Sequence, residues 1–174
     1  KANEIVVHMA ESGGGNLLLY SDDLTYNRWF NLAAGSSRII KVPQGSLIAV
    51  LNFDWAGQAK FPGVALPEDA TVFAYDIKRI DTAVDTEVSF TLSDIDTLLG
   101  FDTLFDADGQ PLDITDFDPT MSSNGNVYYG DNISTGVFSF GFPRVFIGFS
   151  SNSAITHADY SAFGFLPNHT ESPN

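Results

Sequence analysis

Ser37-Arg38-Ile39-Ile40-Lys41-Val42-Pro43-Gln44-Gly45-Ser46-Leu47-Ile48-Ala49-Val50-Leu51-Asn52-Phe53 decides the fold class. Two short runs of Ile, Val and Leu flank a Pro-Gln-Gly triplet. Proline presets the backbone angle of a turn's first corner, and glycine tolerates the positive φ that follows. The stretch therefore predicts strand, tight turn, strand. Outward from it the same punctuation recurs, with β-branched and aromatic runs separated by Gly, Pro, Asn, Asp and Ser. Strands are expected over Glu4–Ala10, Asn16–Tyr20, Arg28–Leu32, Ser37–Val42, Leu47–Phe53, Thr71–Ile80 and Thr86–Leu92. Further along they are expected over Asn126–Tyr129, Gly136–Phe140, Arg144–Ser150 and Tyr160–Leu166.

Gly13-Gly14-Gly15 separates the first two strands, so the first half is read as successive hairpins. Asp54–Asp69 holds Gly57, Pro62, Gly63 and Pro67 without a period and reads as a long loop. One short helix is expected near 94–99, with Ser93 as cap, Asp96 at the capping-box position and Gly100 as stop. The fold class that follows is all-β, an antiparallel β-sandwich of immunoglobulin-like or jelly-roll-like character. Residues 1–167 are expected to form one domain and residues 168–174 a polar tail.

Charge is distributed unevenly. The chain carries 22 Asp and Glu against 8 Lys and Arg, a formal charge of −14. Between Ile80 and Pro143 there is no Lys or Arg, while twelve carboxylates occur. Unpaired carboxylates are costly to bury, so this third must face solvent, hold cations or meet a basic surface. Fifteen Phe, six Tyr and two Trp separate the chain from an acidic disordered tail. The acidity argues against a nucleic-acid partner, and no apolar run approaches the roughly 20 residues of a transmembrane helix. Without cysteine there is no disulfide or thiol nucleophile. A first residue of Lys1 rather than Met points to a processed or excised chain. Together with the composition it points to an extracellular or cell-surface setting.

Phe105-Asp106-Ala107-Asp108-Gly109-Gln110-Pro111-Leu112-Asp113, with Asp116 and Asp118 beyond, is the sharpest local signal. Alternating Asp around a glycine can supply several of the oxygens that calcium wants. The helix-loop-helix calcium template fails, since alignment on Gly109 puts Leu104 at its first ligand and Thr115 at its last. Two readings stand: an Asp-Gly hairpin turn, or a non-standard calcium site made by Asp106, Asp108, Asp113, Asp116 and Asp118.

Exposed aromatics stack on sugar rings. Trp55 in the long loop, Trp29 and the Tyr128-Tyr129 pair are the carbohydrate-binding candidates. Trp55 reads equally as binding or core packing; for Trp29, beside Phe30 and Leu32, the core is the favoured reading, and the dense Phe set from Phe138 to Phe165 is assigned to the core. Sequons place Asn132 and Asn168 as glycosylation candidates. His157 and Asp159 lie two apart, on one face of a strand. No His-Glu-x-x-His helix or Gly-x-Ser-x-Gly elbow occurs, and no motif is specific enough to name a family. The leading expectation is a secreted or cell-surface, non-enzymatic structural or adhesive module, a subunit of an extracellular assembly. Its N-terminal strand, Ile5 to Met9, reads first as an ordinary first strand of the same molecule and second as a segment for self-association by strand addition. The alternatives are a carbohydrate-binding module with a glycan ligand, and a small secreted hydrolase using carboxylates. The hydrolase requires a carboxyl group of raised pKa in a cleft.

Overall fold

The computed structural model describes residues 2–10, 13–54, 70–100, 104–105, 108–112, 122–129, 133–140, 144–153 and 157–163. These residues are mostly β. The strands are β1 (Ala2–Met9), β2 (Gly15–Ser21), β3 (Asn27–Leu32), β4 (Ser37–Pro43), β5 (Ser46–Phe53), β6 (Ala70–Asp81) and β7 (Glu87–Phe90). Then follow β8 (Thr97–Gly100), β9 (Leu104–Phe105), β10 (Pro111–Leu112), β11 (Ser122–Tyr129), β12 (Ile133–Phe140), β13 (Arg144–Phe149) and β14 (His157–Phe163).

Two mixed sheets dominate, one ordered β4-β1-β7 and one ordered β3-β2-β5-β6-β13-β8. β7 runs parallel to β1, and β13 parallel to β6. The expected purely antiparallel arrangement is corrected at these two pairs. Parallel neighbours need a crossover that a hairpin cannot supply.

The expected succession of hairpins is corrected as well. β2 and β3 do form one, but β1 pairs with β4 and β7 rather than with β2. β4 and β5, on either side of Pro43-Gln44-Gly45, belong to different sheets. Both glycine-bearing segments thus carry the chain from one sheet to the other. The second crossing is fastened by buried Thr82. Its hydroxyl accepts the Gly45 N–H at 2.8 Å and donates to the Pro43 carbonyl at 2.8 Å, while its own N–H reaches the Gly45 carbonyl at 2.9 Å. Gly45 stands at φ +133°, where a side chain is strained. Thr82→Val keeps the shape and removes the hydroxyl. It is expected to lower stability by about 1–3 kcal/mol, the cost of leaving enclosed polar groups unpaired, as read by chemical denaturation.

Side chains from both sheets enter one apolar cluster, where Ile5, Val7 and Met9 of β1 join Leu17, Leu51 and Val72 of the larger sheet. The opposite face of the larger sheet is apolar too, with a second cluster of Tyr20, Ile48, Val50, Tyr75, Ile77 and Ile147. In β5 every residue from Leu47 to Leu51 is buried. A strand covered on both faces reads as a continuous apolar run and not as an alternation. β3 and β4, the outer strands of the two sheets, meet along one flank. Tyr26 and Phe30 close it, with the Arg28 guanidinium 5.6 Å from the Tyr26 ring centre and that of Arg38 5.0 Å from the Phe30 ring centre. The Tyr26 hydroxyl donates to the Lys41 carbonyl at 3.3 Å, and Arg38 donates to that of Asn31 at 3.2 Å.

β1 is the middle strand of its sheet, with both edges taken within the chain. This pairing is that of an ordinary first strand of the same molecule, the favoured of the two readings of residues 5–9.

The helix expected near 94–99 is replaced by a 3-10 turn at Leu92–Asp94 followed by β8. Thr91, not Ser93, caps it, accepting the Ser93 N–H at 3.3 Å. Thr97 to Gly100 pair instead with Phe149 to Phe146 along the free side of β13. That sheet edge offers the backbone a full set of partners, which outweighs a weak local helical preference. Elsewhere β11 lies between β12 and β14 in an antiparallel three-stranded sheet, and β14 approaches β8. β9 and β10 form a short hairpin whose Gly109 has φ +77°.

Candidate functional site

On β6, Val72, Ala74 and Ile80 enter the shared core. Strand alternation sends Asp76 and Lys78 to the same face. Asp76 is 1 % exposed, and neither carboxylate oxygen has a hydrogen-bond partner among the described residues. Lys78 Nζ lies 3.6 Å from Asp76 Oδ2, within ion-pair range but longer than a hydrogen bond. The ammonium is held elsewhere: it donates to the Ser89 carbonyl at 2.6 Å and sits 5.0 Å from the Phe90 ring centre. β7, in the other sheet, thus fixes the cation beside the carboxylate.

A cleft of about 510 Å³ opens at this point, lined by Asp76, Lys78, Asp94, Ser150 and Asn152 together with Ile77 and Arg79. Its rim is tied down. Asp96 accepts the Ser151 N–H at 2.8 Å and the Ser151 hydroxyl, joining the segment before β8 to the turn after β13. Ser150 Oγ accepts the Asn152 N–H at 3.2 Å. Below the rim, Gly148 packs so closely that a Cβ there would meet Ile95 Cγ2 at 2.9 Å and Val72 Cγ1 at 3.0 Å.

Electrostatics separate the carboxylates. Burial pushes Asp76 above the ordinary value; Lys78 pulls it partly back and Asp94 adds to the rise. Asp96 is held low by the Ser151 hydroxyl and then by the Ser151 N–H. Asp23, in the β2–β3 hairpin, is lowered to about 2 by the hydroxyls of Ser21 and Thr25 and the Thr25 N–H. The signs are opposite for stability. Asp23 and Asp96 stabilise the fold above pH 3.8, and that contribution is lost as pH falls through their lowered values. Asp76 binds its proton more tightly when folded, so its contribution falls as pH rises from 3.8 through its raised value. Asp76→Asn is accordingly expected to raise the melting temperature at pH 7, with the gain shrinking below pH 3.8, in a calorimetric pH series.

Asp76 was not among the candidates from sequence. The available signal was an acid two residues before a lysine, directly after the apolar run Val72–Tyr75. Among the described residues, none of the named candidates lines this cleft. Asp106, Asp113, Asp116, Asp118, Trp55, Asn132 and Asn168 lie outside the described residues, as do most of the Asp54–Asp69 stretch and the 168–174 tail. Asp108 is exposed in the turn between β9 and β10. Tyr128 and Tyr129 end β11, opposite Ser134 and Ile133 of β12. His157 and Asp159 sit in β14, opposite Tyr128 and Asn126. Among the described residues no group of three or more His, Asp or Glu is arranged to hold a metal ion, and no helix is long and apolar enough to cross a membrane.

One aromatic assignment is corrected. Trp29, expected in the core, is 67 % exposed. In β3 it is Arg28 and Phe30 that turn toward the flank, which leaves Trp29 on the outer face with Asn27 and Asn31. Phe146 is buried as expected, and Phe149 packs half-buried on the outer cluster. Comparison with protein-family models, curated proteins and solved structures gives no match for this chain.

Proposed function

We propose that the chain is a secreted or cell-surface β-sandwich module of structural or adhesive, non-enzymatic kind. The sandwich reading is supported by the apolar cluster to which both mixed sheets contribute. The adhesive reading is carried by the exposed Asn27-Trp29-Asn31 face of β3. The indole, two-thirds in solvent on an edge strand, presents a large amphipathic face that a partner can cover. Beads coated with the protein should resist detachment by flow from extracellular-matrix or cell-wall films better than albumin-coated beads. Equal detachment on every film would remove the adhesive reading. The extracellular setting rests on composition and charge.

A second reading, a carboxylate-dependent hydrolase, is favoured by Asp76. A carboxyl group with a raised pKa beside an ammonium and a second carboxylate in a cleft is the combination that general acid catalysis uses. Carboxyl-detected NMR titration decides it: the hydrolase reading fails if every acid titrates below about pH 5, near ordinary values. Calcium at Asp106, Asp108, Asp113, Asp116 and Asp118 belongs to the proposal as well. A micromolar site should contribute about 4 kcal/mol at millimolar calcium, visible as a melting shift reversed by chelator.

A further inference from the structure

Asn27, Trp29 and Asn31 alternate along β3 and therefore share one face. All three are exposed. Their row continues inward across the sheet, since Asn31 stands opposite Asn16 of β2, and Asn16 opposite Asn52 of β5. The amides are oriented: Asn31 Nδ2 donates to Asn16 Oδ1 at 3.2 Å, and Asn16 Nδ2 donates to Asp54 Oδ1 at 3.4 Å. Trp29 itself stands opposite Leu18, which packs half-buried on the outer cluster. The result is an indole projecting into solvent from an apolar base, flanked by amides along its strand. A ladder of three asparagines crosses neighbouring strands beside it. At about 4.8 Å per strand, this ladder spans about 10 Å.

Resting on the adhesive reading, we propose that this face is a binding platform for a neutral polysaccharide. The apolar face of a pyranose ring stacks on Trp29, and its hydroxyls exchange hydrogen bonds with Asn27, Asn31 and the edge of the ladder. Amides suit hydroxyls because each side chain both donates and accepts. Aromatic stacking supplies apolar contact without demanding that the ligand be apolar throughout. The neutral class follows from charge: a chain at −14 repels polyuronates and sulfated glycans. Asp54, two residues beyond Asn52 and hydrogen-bonded to Asn16, adds a negative group beside the ladder.

Affinity electrophoresis tests it, using native gels containing hydroxyethylcellulose, laminarin, xylan or mannan, with alginate as the charged comparison. The wild-type protein should be retarded by at least one neutral polymer and not by alginate. Trp29→Ala should lose at least tenfold of that affinity at unchanged melting temperature, because its side chain is mostly in solvent. Asn27→Ala should weaken retardation several-fold, again without a melting shift. Indole fluorescence in a Trp55→Phe background should shift to the blue on addition of the retarding polymer. Retardation that survives Trp29→Ala, or no retardation by any neutral polymer, overturns the platform. Protein-coated beads that hold to films while no polymer retards the protein leave adhesion standing and the glycan class refuted. Retardation without bead attachment does the opposite.

Discussion

Removal of residues 1–10 is expected to abolish cooperative unfolding altogether. β1 is the middle strand of the smaller sheet, so its loss strips backbone partners from both β4 and β7. Ile5, Val7 and Met9 are at most 4 % exposed and form part of the shared core. Burying side chains of this kind contributes about 1.5–3 kcal/mol each, and whole domains are stable by about 5–15 kcal/mol. Losing three such side chains together with two ladders of hydrogen bonds exceeds a typical margin. Circular dichroism and scanning calorimetry should show no two-state transition for the shortened chain. A peptide of residues 1–10 added in trans should restore part of it. A truncated protein that melts cooperatively would show that β1 is dispensable and would revive its use as a strand for a neighbour.

The second large effect is expected at Phe90. Phe90→Ala should cost about 3–5 kcal/mol, the usual range for emptying a buried phenylalanine site. The ring is 1 % exposed at the end of β7, packed in the shared core and beneath the Lys78 ammonium. The mutation therefore has a second readout beyond stability. With the ring gone, water reaches the base of the cleft, and the Asp76 carboxyl should titrate closer to an ordinary aspartate. Unfolding in urea gives the first quantity and NMR titration the second. A large stability loss with Asp76 unmoved would mean that Phe90 does not shield that carboxyl.

Individual strands were legible from sequence because β propensity and turn chemistry are local. Arg28–Leu32, Ser37–Val42 and Leu47–Phe53 each fall within a residue or so of an observed strand. Pairing was not legible, because Gly13-Gly14-Gly15 and Pro43-Gln44-Gly45 serve equally well to turn back within a sheet or to cross to another. What distinguishes the two at Gly45 is Thr82, 37 residues away in sequence. Continuous burial did have a signature. The unbroken apolar run from Leu47 to Leu51 marks a strand covered on both sides, and its position in the middle of the larger sheet agrees with that.

The two mistaken local readings share a cause. Ser93 to Gly100 has the order of a capped helix, but the free side of β13 claims Thr97 to Gly100 for pairing, and Asp96 turns to Ser151. Trp29 has apolar neighbours in sequence, but at period two those neighbours occupy the opposite face. Asp76 escaped notice because an isolated acid in a strand carries no motif. Its chemistry comes from burial and from Lys78, which only the fold supplies.

The placement of β13 also sets a timetable for synthesis. β13 lies between β6 and β8, parallel to the first and antiparallel to the second. A ribosome that has finished β8 has made eight of the nine strands of the two main sheets, yet β6 then lacks its β13 partner. Among the described strands, the one that pairs with that edge is residues 144–149, which emerge last of the larger sheet. Parallel pairing over such a separation forms slowly, and an open, apolar strand edge invites pairing with another copy. Nascent chains stalled between residues 100 and 144 are therefore the species most prone to aggregate, and a chaperone that shields β6 would have its greatest effect during that interval.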